Sequence, residues 1–293
     1  MASHLPEPPR LRPEDFQLLR QFVNDHSGIM LSNEAMVTVE RKLGERVVAL
    51  GLPGFREYYL YLRNHPQRKV EIERAIDLVT TNETYFFREL TQLRAFEQEV
   101  LVQLKESAKA RRRLVIWSAG CSTGEEAYTL AILVDKSQLF TGWDVRIIGN
   151  DISRRVLQVA RRAVYREASF RAMPPEYESY FSNTPEGRSV RADIKNLCHF
   201  GHFNLLDDAR VAMIGRVDAI FCRNVLIYFD QASRRRVIQS FFERLEPQGY
   251  LMLGHSESLL HTSTAFELAH LRGDLAYRKP IKPDSLVPGR TRT

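Results

Sequence analysis

The chain has little cysteine, no long apolar run and no apolar core near its N-terminus. Its three cysteines (Cys121, Cys198 and Cys222) lie far apart and share no metal-ligand spacing, as is typical of free thiols in a reducing compartment. No segment approaches the roughly 20 apolar residues of a membrane span, and the first residues lack the apolar core that a signal peptide has. These absences predict a cytoplasmic protein with no disulfides, no metal site and no membrane insertion.

Extremes of composition are also missing. Of the 293 residues, 44% are hydrophobic and 27% are charged, which excludes collagen, a coiled coil and global disorder. The formal net charge of +6 suits a nucleic acid, an acidic protein or an anionic surface. However, the basic residues form scattered clusters such as Arg111–Arg113 and Arg234–Arg236, typical of solvated helix faces. Charge therefore does not decide the function.

Two domains and two tails are predicted from periodicity. Residues 1–13 contain four prolines without a periodic pattern, and residues 280–293 are rich in Pro, Lys and Arg, so both are predicted to be disordered tails. Apolar residues then recur at three- and four-residue spacing up to about residue 80, as in Phe16, Leu19, Phe22 and Val23. Residues 14–80 are therefore predicted to form a small all-helical domain.

The remaining chain, 81–279, alternates apolar strands with helices, which predicts an α/β fold with a doubly wound sheet. The strands are predicted at 114–117, 145–151, 217–222 and 250–254, with a closing hairpin around Arg272–Asp274. Residues 182–204 do not fit this alternation. They contain a turn at Thr184–Gly187 and predict a small antiparallel β insert.

Three predicted strand ends carry residues suited to a ligand, which in open α/β sheets binds at the carboxyl ends of the strands. They are the small-residue loop Ser118–Gly124, the acid Asp151, and the pair Asn224 and Tyr228. Singly, each has a structural explanation, such as a tight turn or a helix N-cap. Together they predict a nucleoside pocket.

The acids at the start of the following helix indicate which nucleoside. Glu125 and Glu126 would repel a pyrophosphate, which argues against NAD or ATP. S-adenosylmethionine fits better, because its sulfonium and ammonium groups suit an acidic pocket. Its ribose would suit Asp151.

Five motifs extend this interpretation to a family. They are Asn-Glu-Thr-Tyr-Phe-Phe-Arg-Glu at 82–89, Trp-Ser-Ala-Gly-Cys-Ser-Thr-Gly-Glu-Glu at 117–126, Asn-Asp-Ile at 150–152, Phe-Cys-Arg-Asn-Val-Leu-Ile-Tyr-Phe-Asp at 221–230 and Gly-His-Ser-Glu at 254–257. The motifs and the order in which they occur closely resemble those of the bacterial chemotaxis receptor methyltransferases (CheR-type). The resemblance covers residues from about 14 to 279. The resemblance implies an N-terminal helical domain and a class I, Rossmann-like methyltransferase domain with a small β-subdomain. It also implies methyl transfer from S-adenosylmethionine to glutamate side chains of chemoreceptor helices, giving methyl esters for chemosensory adaptation and S-adenosylhomocysteine as the product.

Site residues follow from the resemblance by matching position. The implied cofactor contacts are Asn82, Thr84, Arg88, Glu126, Asp151, Asn204, Leu205, Asn224 and Val225. Asp151 would hold the ribose, while Arg88 and Tyr228 would be the catalytic residues near the reactive methyl group. Hydrophobic packing is the preferred interpretation for Tyr85–Phe87, Trp117 and Cys222.

The implied acceptor needs no general base. A glutamate with a pKa of about 4.3 is already an ionised nucleophile at neutral pH. His199, His202 and His255 are therefore given no catalytic proton transfer, although they lie in or near the motifs. Catalysis should come from in-line positioning with water excluded. Turnover is expected to be nearly flat between about pH 6.5 and 8.5.

Acceptor docking is predicted on the N-terminal domain, where Arg41, Lys42 and Arg46 share one helix and could face an acidic chemoreceptor helix. The alternative is a solvated helix face, which Glu40 and Glu45 on the same helix favour. In some family members the β-subdomain docks a tether peptide from the receptor's C-terminus. The compact turn Thr184–Gly187 argues against this here, and both outcomes stay open.

Two other functions are compatible with parts of the pattern. A nucleic-acid methyltransferase would suit the basic charge, but Arg-Asn-Val-Leu stands where amino-methylating enzymes carry a Pro-Pro-aromatic tetrad. Cys222 also follows Phe221 rather than the proline of cytosine C5 enzymes. A non-catalytic module that senses S-adenosylmethionine is the second alternative. The preferred prediction is a monomeric enzyme with chemoreceptor helices, and no nucleic acid, as partners.

Overall fold

Four helices form the N-terminal domain in the computed structural model, which describes residues 9–260 and 262–281. They are α1 (Pro13–Ser27), α2 (Met36–Ala49), α3 (Phe55–Asn64) and α4 (Arg68–Val79). Their apolar faces meet in a core that includes Phe16, Leu43 and Tyr58, none more than 2% exposed. The predicted all-helical domain is confirmed.

The N-terminal tail is shorter than predicted. Leu11 is 4% exposed within this core, and its N–H donates to Glu40 Oε2 at 2.7 Å. Since α1 begins at Pro13, residues 11–13 belong to the helical domain. Proline at the start of a helix loses no backbone hydrogen bond, which explains how a proline-rich segment leads directly into α1. Residues 1–8 and 282–293 of the predicted tails lie outside the described residues.

The second domain begins with a nearly continuous helical segment and continues as a wound sheet. The segment consists of α5 (Leu90–Ala95), a π-helical turn at Phe96–Val100 and α6 (Leu101–Ser107). The central elements are then β1 (Arg113–Ala119), α7 (Glu125–Ser137), β2 (Asp144–Asp151) and α8 (Arg154–Arg162).

The last part of the chain completes the domain. Its elements are β3 (Val164–Tyr165), β4 (Phe181–Thr184), β5 (Gly187–Val190), α9 (Ala192–Leu197), β6 (Cys198–His202), α10 (Asp208–Ala212), β7 (Val217–Cys222), α11 (Gln231–Arg244), β8 (Leu245–Leu253), β9 (Glu267–Leu271) and β10 (Asp274–Arg278). Short 3₁₀ turns cover Asn33–Ala35, Glu167–Phe170, Pro175–Tyr180 and Leu226–Tyr228.

The main sheet has seven strands in the order β6-β2-β1-β7-β8-β10-β9. The first five run parallel, and the hairpin of β9 and β10 joins β8 antiparallel. All residues of β7 are buried, as expected for a central parallel strand covered on both faces. The predicted α/β, Rossmann-like fold is confirmed, and the strand order turns between β1 and β7. The ends of β1, β2 and β7 therefore meet at one edge.

The predicted bounds of the β insert are wrong. The small antiparallel sheet has the order β3-β5-β4 and lies between residues 164 and 190, not 182–204. β6 instead pairs parallel with β2, with Ile147 opposite Cys198, at the edge of the main sheet. An edge strand alternates between covered and exposed side chains just as a hairpin strand does. The local pattern therefore does not reveal its partner.

The two domains meet along the loop that follows β7. The N–H of Met30 donates to the carbonyl of Tyr228 at 2.7 Å, and Ile29 forms an antiparallel bridge with Phe229. Asn24 Nδ2 donates to Asp230 Oδ2 at 2.9 Å, which extends the same seam. Within residues 9–260 and 262–281, no helix is long and apolar enough to cross a membrane.

Candidate active site

One cavity of about 480 Å³ lies between the helical domain and the carboxyl ends of β1, β2 and β7. The structure brings all the predicted cofactor and catalytic residues to it, together with one docking residue. These are Asn82, Thr84, Arg88, Glu126, Asp151, Asn204, Leu205, Asn224, Val225, Tyr228 and Lys42. Arg41 and Arg46 do not line it. Residues from three predicted strand ends and from the interdomain segment thus lie around one cavity.

Asp151 ends β2 with its carboxylate buried beside the cavity. Its Oδ2 accepts the N–H of Ser122 and its Oδ1 accepts the N–H of Ser153, each at 2.9 Å. Burial raises the pKa of Asp151 to about 6. The N-cap of α8 is Ser153, whose hydroxyl accepts the N–H of Val156, so Asp151 is not the cap. Each carboxylate oxygen keeps a second acceptor position, which suits a vicinal diol.

The loop after β1 passes very close to the loop after β7. Gly120 has φ +79°, and a Cβ there would lie 2.6 Å from Cγ2 of Val225. A larger residue would therefore force the two loops apart and would also strain the backbone. The next turn is tied to the interdomain segment, because Ser122 Oγ donates to the carbonyl of Asn82 at 3.0 Å.

A buried arginine that the sequence reasoning missed organises the acids of the site. The Arg223 side chain is 2% exposed and lies 3.4 Å from Glu126 Oε2 and 3.1 Å from Glu89 Oε2. It also donates to the carbonyl of Arg88. Burial raises the pKa of Glu126, while Arg223 opposes that effect. Arg223 directly precedes Asn224 in the motif at 221–230, and this position was the one sign in the sequence that it belongs to the site.

The two acids at the start of α7 have different surroundings. Glu126 lines the cavity and accepts a hydrogen bond from Ser118 Oγ at 2.7 Å. Glu125 instead accepts hydrogen bonds from Thr123 Oγ1 at 2.6 Å and Ser169 Oγ at 2.9 Å, outside the cavity lining. Of the two acids at the start of α7, Glu126 is therefore the one that contributes a carboxylate to the ligand site.

The interdomain segment supplies both packing and cavity residues. Phe86 and Phe87 are buried and stack on Phe170 and Tyr177 at centroid distances of 5.1 and 4.1 Å, as predicted. Phe87 also lines the cavity, and so does Tyr85, which differs from the two phenylalanines because it is only half-buried. The guanidinium carbon of Arg88 lies 5.8 Å from its ring centroid.

The other two packing predictions concern the central strands. Trp117 is fully buried against Phe241, with its indole N–H donated to Asn150 Oδ1 at 2.7 Å. Cys222 is fully buried as well, and burial raises the pKa of its thiol. Both residues therefore have the structural role that was predicted.

Asn224 and Tyr228 lie on the loop after β7. Asn224 has φ +58°, and its buried Oδ1 has no hydrogen-bond partner among the described residues. An acceptor without a partner is costly, so this atom is suited to a ligand N–H or O–H. Asn204 differs: its amide donates to the carbonyls of His26 and Ser27 at 3.2 and 3.3 Å and joins the loop after β6 to α1.

The helical domain contributes Ala35, Thr38, Val39 and Lys42 to the cavity. Lys42 is half-buried, and burial lowers the pKa of its ammonium group, with a further contribution from Arg41. The part of the chain that the structure describes places no carboxylate within ion-pair distance of it. Residues 35–39 were not predicted as site residues, because their apolar and small side chains gave no chemical signal.

Arg46 contradicts the predicted docking set. Its Nε and Nη2 donate to the two carboxylate oxygens of Glu71, both at 2.8 Å. The Glu71 side chain is 4% exposed and also accepts the Tyr58 hydroxyl at 3.0 Å. Arg46 therefore holds α2 against α4 rather than facing a partner, whereas Arg41 is exposed.

No histidine named in the sequence analysis lines the cavity. His202 Nε2 lies 2.8 Å from the carbonyl oxygen of Ile152, and burial lowers its pKa. His255 is exposed, 3.3 Å from Asp274. Among the described residues, no group of three or more His, Cys, Asp or Glu is placed to hold a metal ion. The geometry thus provides for binding a nucleoside with a diol, without a nearby imidazole base.

Comparison with known proteins gives the same family for both domains. The CheR methyltransferase all-alpha domain matches residues 14–80, and the CheR methyltransferase SAM binding domain matches residues 82–273. Chemotaxis protein methyltransferase 2 of Vibrio cholerae is 36% identical over 274 residues, covering 92% of this chain and 94% of that protein.

Two further relatives agree over similar lengths. Chemotaxis protein methyltransferase 1 of Pseudomonas aeruginosa is 34% identical, covering 90% of this chain and 97% of that protein. The chemotaxis protein methyltransferase of Escherichia coli is 34% identical, covering 89% of each chain. Since the matches include both domains and nearly all of the described residues, this chain belongs to the CheR methyltransferase family.

Proposed function

We propose that this protein is an S-adenosylmethionine-dependent protein-glutamate O-methyltransferase that acts on chemoreceptor cytoplasmic helices. The observation that carries this proposal is the cavity in which Asp151, Asn224 and Tyr228 of the sheet domain meet Lys42 of the helical domain. The names of the relatives support a methyltransferase of the chemotaxis system. Those names do not specify the side chain that accepts the methyl group, and we propose that it is glutamate.

The residues present fit the cofactor. Asp151 has acceptor positions left for the ribose hydroxyls, and the partnerless Asn224 Oδ1 suits a donor such as an amino group. Glu126 adds an acidic side chain to the same cavity. When bound, S-adenosylmethionine supplies a methyl group on a positively charged sulfur.

Orientation and exclusion of water are the tasks of the protein in this reaction. The acceptor carboxylate is ionised at neutral pH, so the cavity needs no base to activate it. Lys42 would attract that carboxylate from the helical side, while Arg88 and Tyr228 would orient it from the interdomain segment and the loop after β7. The helical domain covers the strand ends, and a drier site strengthens these charge interactions.

The decisive experiment measures methyl transfer and the chemistry of its product. The protein is incubated with methyl-labelled S-adenosylmethionine and the cytoplasmic fragment of a chemoreceptor from the same organism. Glutamyl methyl esters release labelled methanol in mild base, whereas N-methyl groups do not. We expect base-labile label on the receptor fragment, and none when its acceptor glutamates are replaced by alanine.

Two results would overturn the proposal. Base-stable label, or label incorporated into added nucleic acid, would point to a different methyltransferase. Tight S-adenosylhomocysteine binding without transfer to any receptor fragment would favour the sensing module. Asp151→Ala should abolish transfer in the same assay, which ties the signal to this cavity.

A further inference from the structure

The last motif of the sequence, residues 254–257, contributes no side chain to the cavity. Glu257 is 7% exposed, and its carboxylate accepts four backbone N–H groups. Its Oε2 accepts from Asn224 at 2.7 Å and from Gly254 at 2.9 Å. Its Oε1 accepts from Val225 at 2.9 Å and from Ile227 at 3.3 Å. One carboxylate therefore ties the end of β8 to the loop after β7.

These four bonds use up the hydrogen-bonding capacity of the group. An ionised carboxylate has about four acceptor positions. Among the described residues, no Lys, Arg or His forms an ion pair with Glu257, so backbone N–H dipoles are what stabilise its charge. A glutamine would offer one oxygen, and its NH₂ would face N–H donors. The site therefore requires a carboxylate and not merely a polar side chain of that size.

The bonds lie where the loop backbone turns left-handed. Asn224 has φ +58°, a region that residues other than glycine seldom adopt and that asparagine adopts more readily than most. Glu257 holds the N–H groups on both sides of its α-carbon, those of Asn224 and Val225. The left-handed backbone directs the Asn224 side chain to the cavity with Oδ1 free of partners. Ile227, whose N–H is also held, immediately precedes Tyr228.

The glycine of the motif is required by the same contact. A Cβ on Gly254 would lie 2.9 Å from the Asn224 nitrogen and 3.0 Å from Glu257 Oε2. The two residues between them, His255 and Ser256, are exposed. The first and last positions of the motif therefore serve one contact, and the middle positions face outward.

We propose that Glu257 is a positioning residue for cofactor binding, which acts by fixing the backbone of Asn224–Ile227 without touching the ligand. This role rests on the proposed use of the cavity for S-adenosylmethionine. The 254–257 motif would then support cofactor binding although none of its side chains lines the cavity.

The test is isothermal titration with S-adenosylhomocysteine on Glu257→Gln. The matched control is Asp218→Asn, since Asp218 is 1% exposed and accepts the Val115 N–H at 2.8 Å at the other end of β7. Both variants should lower the melting temperature. Only Glu257→Gln should weaken binding, by roughly tenfold, because a lost charged hydrogen bond is worth about that factor.

A double-mutant cycle separates positioning from general destabilisation. Asn224→Gly keeps the left-handed backbone and removes the amide that Glu257 is proposed to aim. In that background, Glu257→Gln should cost less than about twofold in affinity, because coupled residues are not additive. Independent, multiplying losses would overturn the positioning role.

Other outcomes are equally informative. Wild-type affinity in Glu257→Gln overturns the role, and no binding by folded wild type overturns it together with the proposed function. If the glutamine variant does not fold, Glu257→Asp replaces it. This variant keeps the charge but shortens the reach, so an intermediate loss of affinity is expected, and unchanged affinity would contradict the proposal.

Discussion

The two walls of the cavity are built differently. The sheet wall consists of residues 120–122, Asp151 and Asn224–Val225, and the helix wall of Ala35, Thr38, Val39 and Lys42. In the sheet wall, backbone N–H groups fix the buried carboxylate of Asp151, and Glu257, outside the cavity, fixes the backbone of Asn224 and Val225. In the helix wall, the charged group has no fixed partner among the described residues. The first suits a ligand held in one position, and the second suits the proposed acceptor side chain, which must bind and leave.

The largest expected effect concerns what holds the helix wall in place. Arg46→Glu removes the two hydrogen bonds from Arg46 to the buried Glu71, leaves Arg74 at 3.7 Å as its cationic partner and adds a like charge, which should lower the free energy of unfolding by about 3 kcal/mol. Arg41→Glu, on the exposed face five residues earlier, should change it by less than about 0.5 kcal/mol. Chemical denaturation of both variants measures the difference, and equal stabilities would show that the Arg46–Glu71 pair does not support α2.

The sheet wall should be most sensitive at Asp151. Asp151→Ala removes the proposed ribose acceptor and should weaken S-adenosylhomocysteine binding by about 100-fold, as expected for two hydrogen bonds to a charged group. Asp144→Ala, at the exposed opposite end of β2, is the matched control and should bind like wild type. Isothermal titration makes the comparison. If Asp151→Ala binds S-adenosylhomocysteine as tightly as wild type, the proposed binding of the cofactor at the sheet wall is wrong.

The pH dependence of cofactor binding tests the role of Asp151 in the sheet wall more closely. Because burial raises the pKa of Asp151 to about 6, from a usual value of about 3.9, its contribution to stability is greatest at low pH and is lost as pH rises through 6. Cofactor binding needs the ionised form and should change in the opposite direction. We expect affinity for S-adenosylhomocysteine to fall about tenfold from pH 7 to pH 5 and to be flat above pH 7. Asp151→Asn should show no such change, and a midpoint that persists in it would assign the titration elsewhere.

The smallest effect is expected at the helix wall. Lys42→Gln should raise KM for the receptor fragment by about fivefold, because a partly solvated ion pair is worth about 1 kcal/mol or less. Affinity for S-adenosylhomocysteine should not change. Steady-state kinetics at saturating cofactor measure the first quantity, and titration the second. Weaker cofactor binding in Lys42→Gln would show that the helix wall also binds the cofactor, which contradicts the proposed division between the two walls.

Much of the sheet wall could be predicted because its chemistry is local. Asp151 and Asn224 lie within three residues of the end of an apolar run, and strand ends of a parallel sheet converge. The identity of the strand next to β2 was not predictable, since alternation in 198–202 does not specify a partner. Arg46 was misassigned for a similar reason. Helical spacing shows which residues share a face, but not that Glu71 of another helix lies opposite.

Glu257 was part of a recognised motif, but its role could not be predicted from the sequence. The motif at 254–257 was identified as distinctive, yet its chemistry depends on N–H groups about thirty residues away. Hydrogen bonds between a side chain and a distant backbone leave no periodic pattern. Arg223 was missed for the same reason, because its partners Glu89 and Glu126 come from two other segments.

The hydrogen bond from Met30 to Tyr228 joins the two domains beside the cavity. It connects the segment between α1 and α2 to the loop that carries Asn224, so that the helical domain and the loop after β7 share one backbone connection. A cofactor that steadies this loop would also steady the helical domain. By thermodynamic reciprocity, any change this makes in receptor affinity must be matched by an equal change in cofactor affinity when the receptor binds. The supply of the methyl donor would thereby influence how long the enzyme stays at the receptor.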